Sequence, residues 1–187
     1  AQTANGWTGA SSYYETCYDS GGTAYACNKA GDNQWSNNLN WSGGIPTSAE
    51  EVNIGNSTIS RPVQHDTVVI SDTTAAEAGR LNIGFSGGPS STGTFGAGYL
   101  TNDGSLTVGN GIVVGSTGTG TLVNNGTLDV TNGSLVIGRG GQGTVFIGAD
   151  AATDIGQHLV VGESENGELI ADSDITVGGK PTIGPLT

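Results

Sequence analysis

One pattern decides the fold: three apolar residues followed by glycine, as in Ile112-Val113-Val114-Gly115, Leu135-Val136-Ile137-Gly138 and Leu159-Val160-Val161-Gly162. These triplets begin 23 and 24 residues apart, and a weaker copy, Pro181-Thr182-Ile183-Gly184, follows after 22 more. Two further short apolar segments keep the same register within each period. Three strands per period, repeated in register, indicate an all-β fold, a short parallel β-helix (β-solenoid) in which each period forms one rung.

Side chains alternate across a strand, so the first and third residues of each triplet are expected to point inward and the middle residue outward. This places Ile112, Leu135 and Leu159 in one internal ladder. The outward positions of the same triplets are Val113, Val136 and Val160. These three valines form a lateral apolar stripe, which either stabilises the sheet by stacking or packs against another chain. We predict about five or six rungs.

The composition of the 187-residue chain agrees with this architecture. Glycine accounts for 34 residues, and each glycine weakens a helix interior by roughly 1 kcal/mol, which excludes a helical bundle. The glycines do not recur at every third position, which excludes collagen. No stretch approaches the roughly 18 consecutive apolar residues of a membrane-spanning helix, so we expect no membrane insertion.

Charge restricts the partners further. Lys and Arg total 5, Asp and Glu total 17, and the formal net charge is -12. A strongly acidic surface repels the phosphate backbone of nucleic acids and anionic lipid headgroups. We therefore predict no nucleic-acid partner.

The N-terminal quarter differs from the repeats. It holds both cysteines and seven of the eleven aromatic residues, so we predict a cap and assembly segment over residues 1–48 and the solenoid over residues 49–187. Cys17 and Cys27 form no CxxC pair, and only two histidines accompany them, which argues against zinc and for a disulfide in an oxidising compartment. The first residue is Ala1, as in a secreted protein after signal-peptide removal. The predicted location is extracellular or at the cell surface.

Several segments carry a family resemblance. They are Gly104-Ser105-Leu106-Thr107-Val108-Gly109, Gly118-Thr119-Gly120-Thr121-Leu122, Gly133-Ser134-Leu135-Val136-Ile137-Gly138 and the tryptophan-containing entry Trp35-Ser36-Asn37-Asn38-Leu39-Asn40-Trp41. Together they resemble the passenger-associated repeats of bacterial autotransporter adhesins, over roughly residues 33–184. The resemblance implies a bacterial secreted surface protein with a structural or adhesive role.

Catalysis is the main competing class, because β-helices also carry polysaccharide lyases and hydrolases. Such enzymes need paired carboxylates. Candidate acids near the turns are Asp129, Asp150, Asp154, Asp172 and Asp174. Acids in solenoid turns are more typical of solvated edges, so we predict no enzyme activity, no cofactor and no metal site. The alternatives are a small polysaccharide-binding protein, a polysaccharide lyase or hydrolase, and a fragment of a longer adhesin passenger.

The last repeat suggests self-association. It contains two of the three expected strands, Ile175-Thr176-Val177 and Pro181-Thr182-Ile183, and an unfinished rung leaves strand edges that template the addition of another chain. We predict that the N-terminal segment, anchored by Trp7, docks on Ile175, Val177, Thr182 and Ile183 of the next copy and builds a head-to-tail filament or surface layer. Cell-surface polysaccharide is a second candidate partner. The competing arrangement folds the N-terminal segment over its own first rung.

Overall fold

The computed structural model describes residues 3–6, 14–18, 24–28, 33–41, 43–55, 65–85 and 97–183. The first sheet is parallel and has seven strands, in spatial order β1 (Thr3–Gly6), β4 (Glu50–Ile54), β7 (Arg80–Ile83), β10 (Ile112–Val114), β13 (Leu135–Ile137), β16 (Leu159–Val161) and β19 (Pro181–Ile183).

Two further parallel sheets have five strands each. The second sheet contains β5 (His65–Ile70), β8 (Ala97–Asn102), β11 (Gly120–Asn124), β14 (Gly143–Ile147) and β17 (Gly167–Ala171). The third sheet contains β6 (Ala75–Ala78), β9 (Ser105–Val108), β12 (Thr127–Val130), β15 (Ala152–Ile155) and β18 (Ile175–Val177). Near the N-terminus lie an antiparallel hairpin of β2 (Tyr14–Tyr18) and β3 (Ala24–Asn28) and one 3-10 turn, η1 (Asn38–Asn40).

The chain visits the three sheets in the same order in every rung, and each strand pairs with its equivalents above and below. Five complete rungs run from β4-β5-β6 to β16-β17-β18, while β1 and β19 extend the first sheet at its two ends. The predicted short parallel β-solenoid of about five or six rungs is confirmed. The sequence around Val52 departs from the repeat pattern, but this segment is still a strand of the stack, because Val52 pairs with Leu81.

A single apolar core fills the solenoid. Ile112 pairs with Leu135 and Leu135 with Leu159, as the internal ladder predicts. Leu135 and Ile137 are fully buried. Because one rung alone cannot cover its own apolar face, each rung obtains its burial from its neighbours.

The glycine after each triplet is required by the backbone. Gly84, Gly115, Gly138 and Gly162 all adopt φ between 74° and 77°, in the left-handed region that favours glycine. At Gly115 a Cβ atom would also lie 2.5 Å from the Gly141 carbonyl oxygen. The corner between the first and second sheets is therefore possible only where the triplet ends in glycine.

Buried asparagines line the opposite corner, between the second and third sheets. Asn102 and Asn124 are fully buried. The Asn102 Nδ2 group donates to Asn124 Oδ1 at 2.7 Å, and Asn124 Nδ2 donates to Thr153 Oγ1 at 3.0 Å. Three of the four side-chain polar atoms of these two amides are hydrogen-bonded, which makes the polar ladder compatible with the core. Asn102 Oδ1 is buried without a hydrogen-bond partner.

The aromatic cap covers the N-terminal end of this core. Trp35 and Trp41 belong to the core cluster, with ring centroids 4.8 Å apart and an interplanar angle of 64°. The Trp41 Nε1 group donates to the Trp35 carbonyl oxygen at 2.8 Å. Both rings act as a plug, and these two tryptophans share one core with the repeats.

The predicted disulfide falls in the hairpin. Cys17 pairs with Tyr25 and Cys27 with Glu15, so the two cysteines are offset by two positions in the register of β2 and β3. Their side chains lie outside the described residues, as does the whole of Trp7. The Cys17–Cys27 bond stays a prediction.

Candidate functional site

The C-terminal end of the solenoid presents three strand edges. Among the described residues no strand pairs with the outer edge of β17, β18 or β19. Leu169 and Val177 are partly buried and pack against the core, whereas Val145 and Ile155, their partners one rung earlier, are fully buried. Among the described residues, core side chains are therefore less completely buried in this rung than in the rung before it.

The residues predicted to mediate self-association reach this end on different sheets. Ile175 and Val177 lie on β18 of the third sheet, and Thr182 and Ile183 lie on β19 of the first sheet. Ile175 packs against the core, and Thr182 lies on the outer face of the first sheet. The side chain of Ile183 lies outside the described residues. One incoming strand can pair with β18 or with β19, but not with both.

The chain itself covers the core and part of the strand edges at the N-terminal end, although the outer edge of β6 has no strand partner among the described residues. Strand β1 pairs in parallel with β4, with Asn5 opposite Val52. The Trp35 N–H group donates to the Val69 carbonyl at 2.8 Å, and the Val69 N–H group donates to the Asn33 carbonyl at 2.7 Å, which covers β5. Residues 3–6 thus fold over their own first rung, as the competing arrangement expects. The outer edge of β1 has no strand partner among the described residues.

The lateral apolar stripe forms in the predicted register, with Val113 beside Val136 and Val136 beside Val160. It is not exposed. The three side chains are 2%, 9% and 8% accessible and form a cluster separate from the main core. They lie at the floor of a groove of about 490 Å³ on the outer face of the first sheet.

Polar residues form the walls of this groove. One wall is built from the turns that enter the first sheet and carries Asn110, Asn132, Gln157 and His158. The other wall is built from the turns that leave the sheet and carries Arg139 and Glu163, whose Nε and Oε2 atoms lie 2.9 Å apart. His158 Nδ1 accepts a hydrogen bond from the Lys180 backbone N–H group at 3.0 Å, which joins two successive turns of the wall.

Cationic side chains are concentrated in the groove. Arg80, Arg139 and Lys180 all line it, and they are the only lysine or arginine residues in the part of the chain that the structure describes. Sequence reasoning missed Arg80 and Lys180. A signal was present, because Arg80, His158 and Lys180 each stand immediately before the first residue of a triplet.

The candidate catalytic acids lie elsewhere. Asp129 and Asp154 are neighbours on the third sheet, and with Asp174 they line a shallow depression. Arg139 and His158, the bases nearest to them in sequence, lie instead in the groove of the first sheet. Within the described residues no group of three or more His, Cys, Asp or Glu side chains could hold a metal ion.

Comparison with known proteins gives no relatives: no family model matches, and neither curated proteins nor solved structures provide a match. The fold therefore defines the class, a parallel β-solenoid, and the resemblance to passenger-associated repeats stays a prediction. No helix in the described part of the chain is long and apolar enough to cross a membrane.

Proposed function

We propose that this protein is a secreted, non-enzymatic structural or adhesive subunit that assembles head to tail into an extracellular filament or surface layer. One observation carries the proposal: the core is covered by tryptophans at one end and only partly covered at the other, where Leu169, Ile175 and Val177 meet unpaired strand edges. Edges of this kind favour the addition of further strands.

The topology gives the contact a direction. The two outermost strands of the first sheet, β1 and β19, belong to one parallel sheet. A second copy stacked in the same orientation brings its β1 beside β19 and continues that sheet, while β1 remains paired with its own β4. The contact joins two different surfaces, so repeated addition produces an open filament rather than a closed ring.

One sequence property supports the extracellular part of the proposal, because the predicted Cys17–Cys27 bond would be favoured in an oxidising compartment. The net charge of -12 bears on assembly instead, since it opposes contacts between the sides of copies. An end contact made by backbone groups and apolar side chains should therefore persist in high salt, where repulsion is screened.

Electron microscopy of the purified protein at increasing concentration tests the proposal. We expect filaments from the full chain and, from a variant lacking residues 1–9, folded monomers with an unchanged circular dichroism spectrum. A second variant, Leu169→Asp, places a charge on the open end and should also prevent assembly. Phe146→Asp introduces the same charge on the side of the solenoid, where Phe146 is 38% exposed, and should assemble normally.

Two results would contradict the head-to-tail mechanism. One is a full-length protein that remains monomeric at the highest concentration reached. The other is normal polymerisation of the variant that lacks residues 1–9.

A further inference from the structure

We infer that the lateral groove binds an extended anionic polysaccharide of the uronic-acid class, lying along the solenoid axis. The groove runs across the first sheet from Arg80, on β7, to Lys180, just before β19. Four strand-to-strand steps separate these positions, or roughly 19 Å at about 4.8 Å per step. This length accommodates a short run of sugar rings.

Charge is the first argument for an anionic ligand. In a chain of net charge -12, every lysine and arginine of the described residues lines this one groove. The lining holds three lysine or arginine side chains and one carboxylate, Glu163, so its net charge is positive, and a concave site of net positive charge concentrates anions. Because Glu163 lies 2.9 Å from Arg139 and pairs with it, the excess positive charge comes from Arg80 and Lys180.

The groove also suits the two chemical faces of a sugar. Its floor is formed by Val113, Val136 and Val160. Val136 and Val160 keep 9% and 8% of their surface accessible, which leaves a narrow aliphatic strip for the C–H face of a ring. The exposed amides of Asn110 and Gln157 stand on one wall, where they can donate to and accept from hydroxyl groups. A site with an apolar floor and a few convergent polar groups is typical of small-ligand recognition.

An acidic peptide fits the groove less well. Extended peptides usually bind by adding a strand to a sheet edge, where backbone groups are available. This groove crosses the face of the first sheet, and strands β7, β10, β13 and β16 are each paired on both sides. A peptide lying along the axis would find side chains but no strand edge.

A second copy of the protein is also a poorer occupant. The acidic row of the third sheet, Asp129 and Asp154, lies in a depression of its own. Two concave surfaces cannot insert into each other, so charge complementarity between them is not matched by shape.

Binding of polygalacturonate and of alginate oligomers, measured by isothermal titration calorimetry, tests the inference. We expect saturable binding that weakens steeply with added NaCl and is lost for fully methyl-esterified polygalacturonate, which has the same backbone without the charge. The Arg80→Gln/Lys180→Gln variant should bind at least tenfold more weakly. The Thr121→Glu/Phe146→Glu variant changes the net charge equally on the second sheet and should bind like the unaltered protein.

Three results would overturn the inference: no binding of either polyuronate, equal binding of the methyl ester, or unchanged affinity of the groove variant while it keeps its melting temperature. Loss of lateral association between copies in that variant, without polyuronate binding, would instead identify a contact between proteins. The groove lies on the face of the first sheet and the proposed assembly uses strand edges at the ends. Thr182 belongs to both sets, and none of the binding variants alters it. Success or failure here therefore leaves the head-to-tail proposal to its own test.

Discussion

The two ends of the solenoid differ in how completely the apolar core is covered. At the N-terminal end Trp35 and Trp41 cover the first core layer and are almost completely buried, while β1 adds a strand to the first sheet. At the C-terminal end Leu169 and Val177 occupy core positions but remain partly accessible. The difference teaches that inward-pointing residues are buried by the rung above them, and that the last rung requires a cap or a partner.

The largest expected effect on stability comes from a comparison of the same substitution, leucine to aspartate, in a central rung and in the last rung. Leu135→Asp places an unpaired carboxylate at a fully buried position and should lower the free energy of unfolding by about 5 kcal/mol or more. Leu169→Asp makes the same change at the partly accessible end, where water can solvate the charge, and should cost much less. Urea denaturation of both variants measures the difference.

Equal losses of unfolding free energy from Leu135→Asp and Leu169→Asp would contradict the difference in burial between the middle of the stack and its end. Such a result would mean that the end of the core is as well covered as its centre.

Removal of the plug is the next largest effect. Trp35→Ala opens a cavity at the closed end and should cost about 3–5 kcal/mol. The variant should also bind a hydrophobic dye such as ANS, because the first core layer becomes accessible. Thermal melting and dye fluorescence measure this, and Ile45→Ala, which alters a side chain that is 46% exposed, is the control. A Trp35→Ala melting temperature equal to that of the control would show that the tryptophan is not a plug.

The hairpin bond should contribute less. If Cys17 and Cys27 are joined, the Cys17→Ser variant loses about 2–3 kcal/mol from the cap by the loop-entropy argument. Intact mass with and without reduction should differ by two hydrogens in the unaltered protein. Two free thiols under non-reducing conditions would remove the cysteine argument for an extracellular location.

The smallest effect concerns local opening at the open end. Amide hydrogens of β17 and β18 should exchange faster than those of β14 and β15, because they have a neighbouring rung on only one side. Hydrogen-exchange mass spectrometry on dilute protein measures the difference, and filament formation should abolish it. Uniform protection along the stack in the dilute protein would contradict the asymmetry of the two ends.

The repeat architecture is predictable because its signals are local. A glycine that permits the corner follows each apolar triplet, and the ladder of Ile112, Leu135 and Leu159 follows directly from the repeat period. The route of the N-terminus is not predictable in this way. Thr3–Gly6 has no apolar triplet, and its placement on β4 depends on backbone pairing that any sequence of low bulk can make.

The groove could be predicted only in part. The valine stripe follows from register, but its burial depends on turns that rise on both sides, such as those of Asn132 and Arg139. Arg80 and Lys180 stand 100 positions apart in sequence. They share one groove because the three intervening strands β10, β13 and β16 stack in register, so their shared position before a triplet becomes informative only once that register is known.

The parallel stacking also has a mechanical consequence. Hydrogen bonds between rungs run along the solenoid axis, at the corners as well as in the sheets: the Gly115 N–H donates to the Ile83 carbonyl at 2.9 Å, and the Gly138 N–H to the Val114 carbonyl at 2.8 Å. The covalent chain winds around the axis and carries no tension until a rung opens. Stretching the molecule from its ends should therefore open it one rung at a time. The last three rungs, of 22 to 24 residues, each release roughly 80 Å of extended chain, and the first two, of 29 and 31 residues, each release roughly 100 Å, so the solenoid would lengthen in two sizes of step and absorb work at each one.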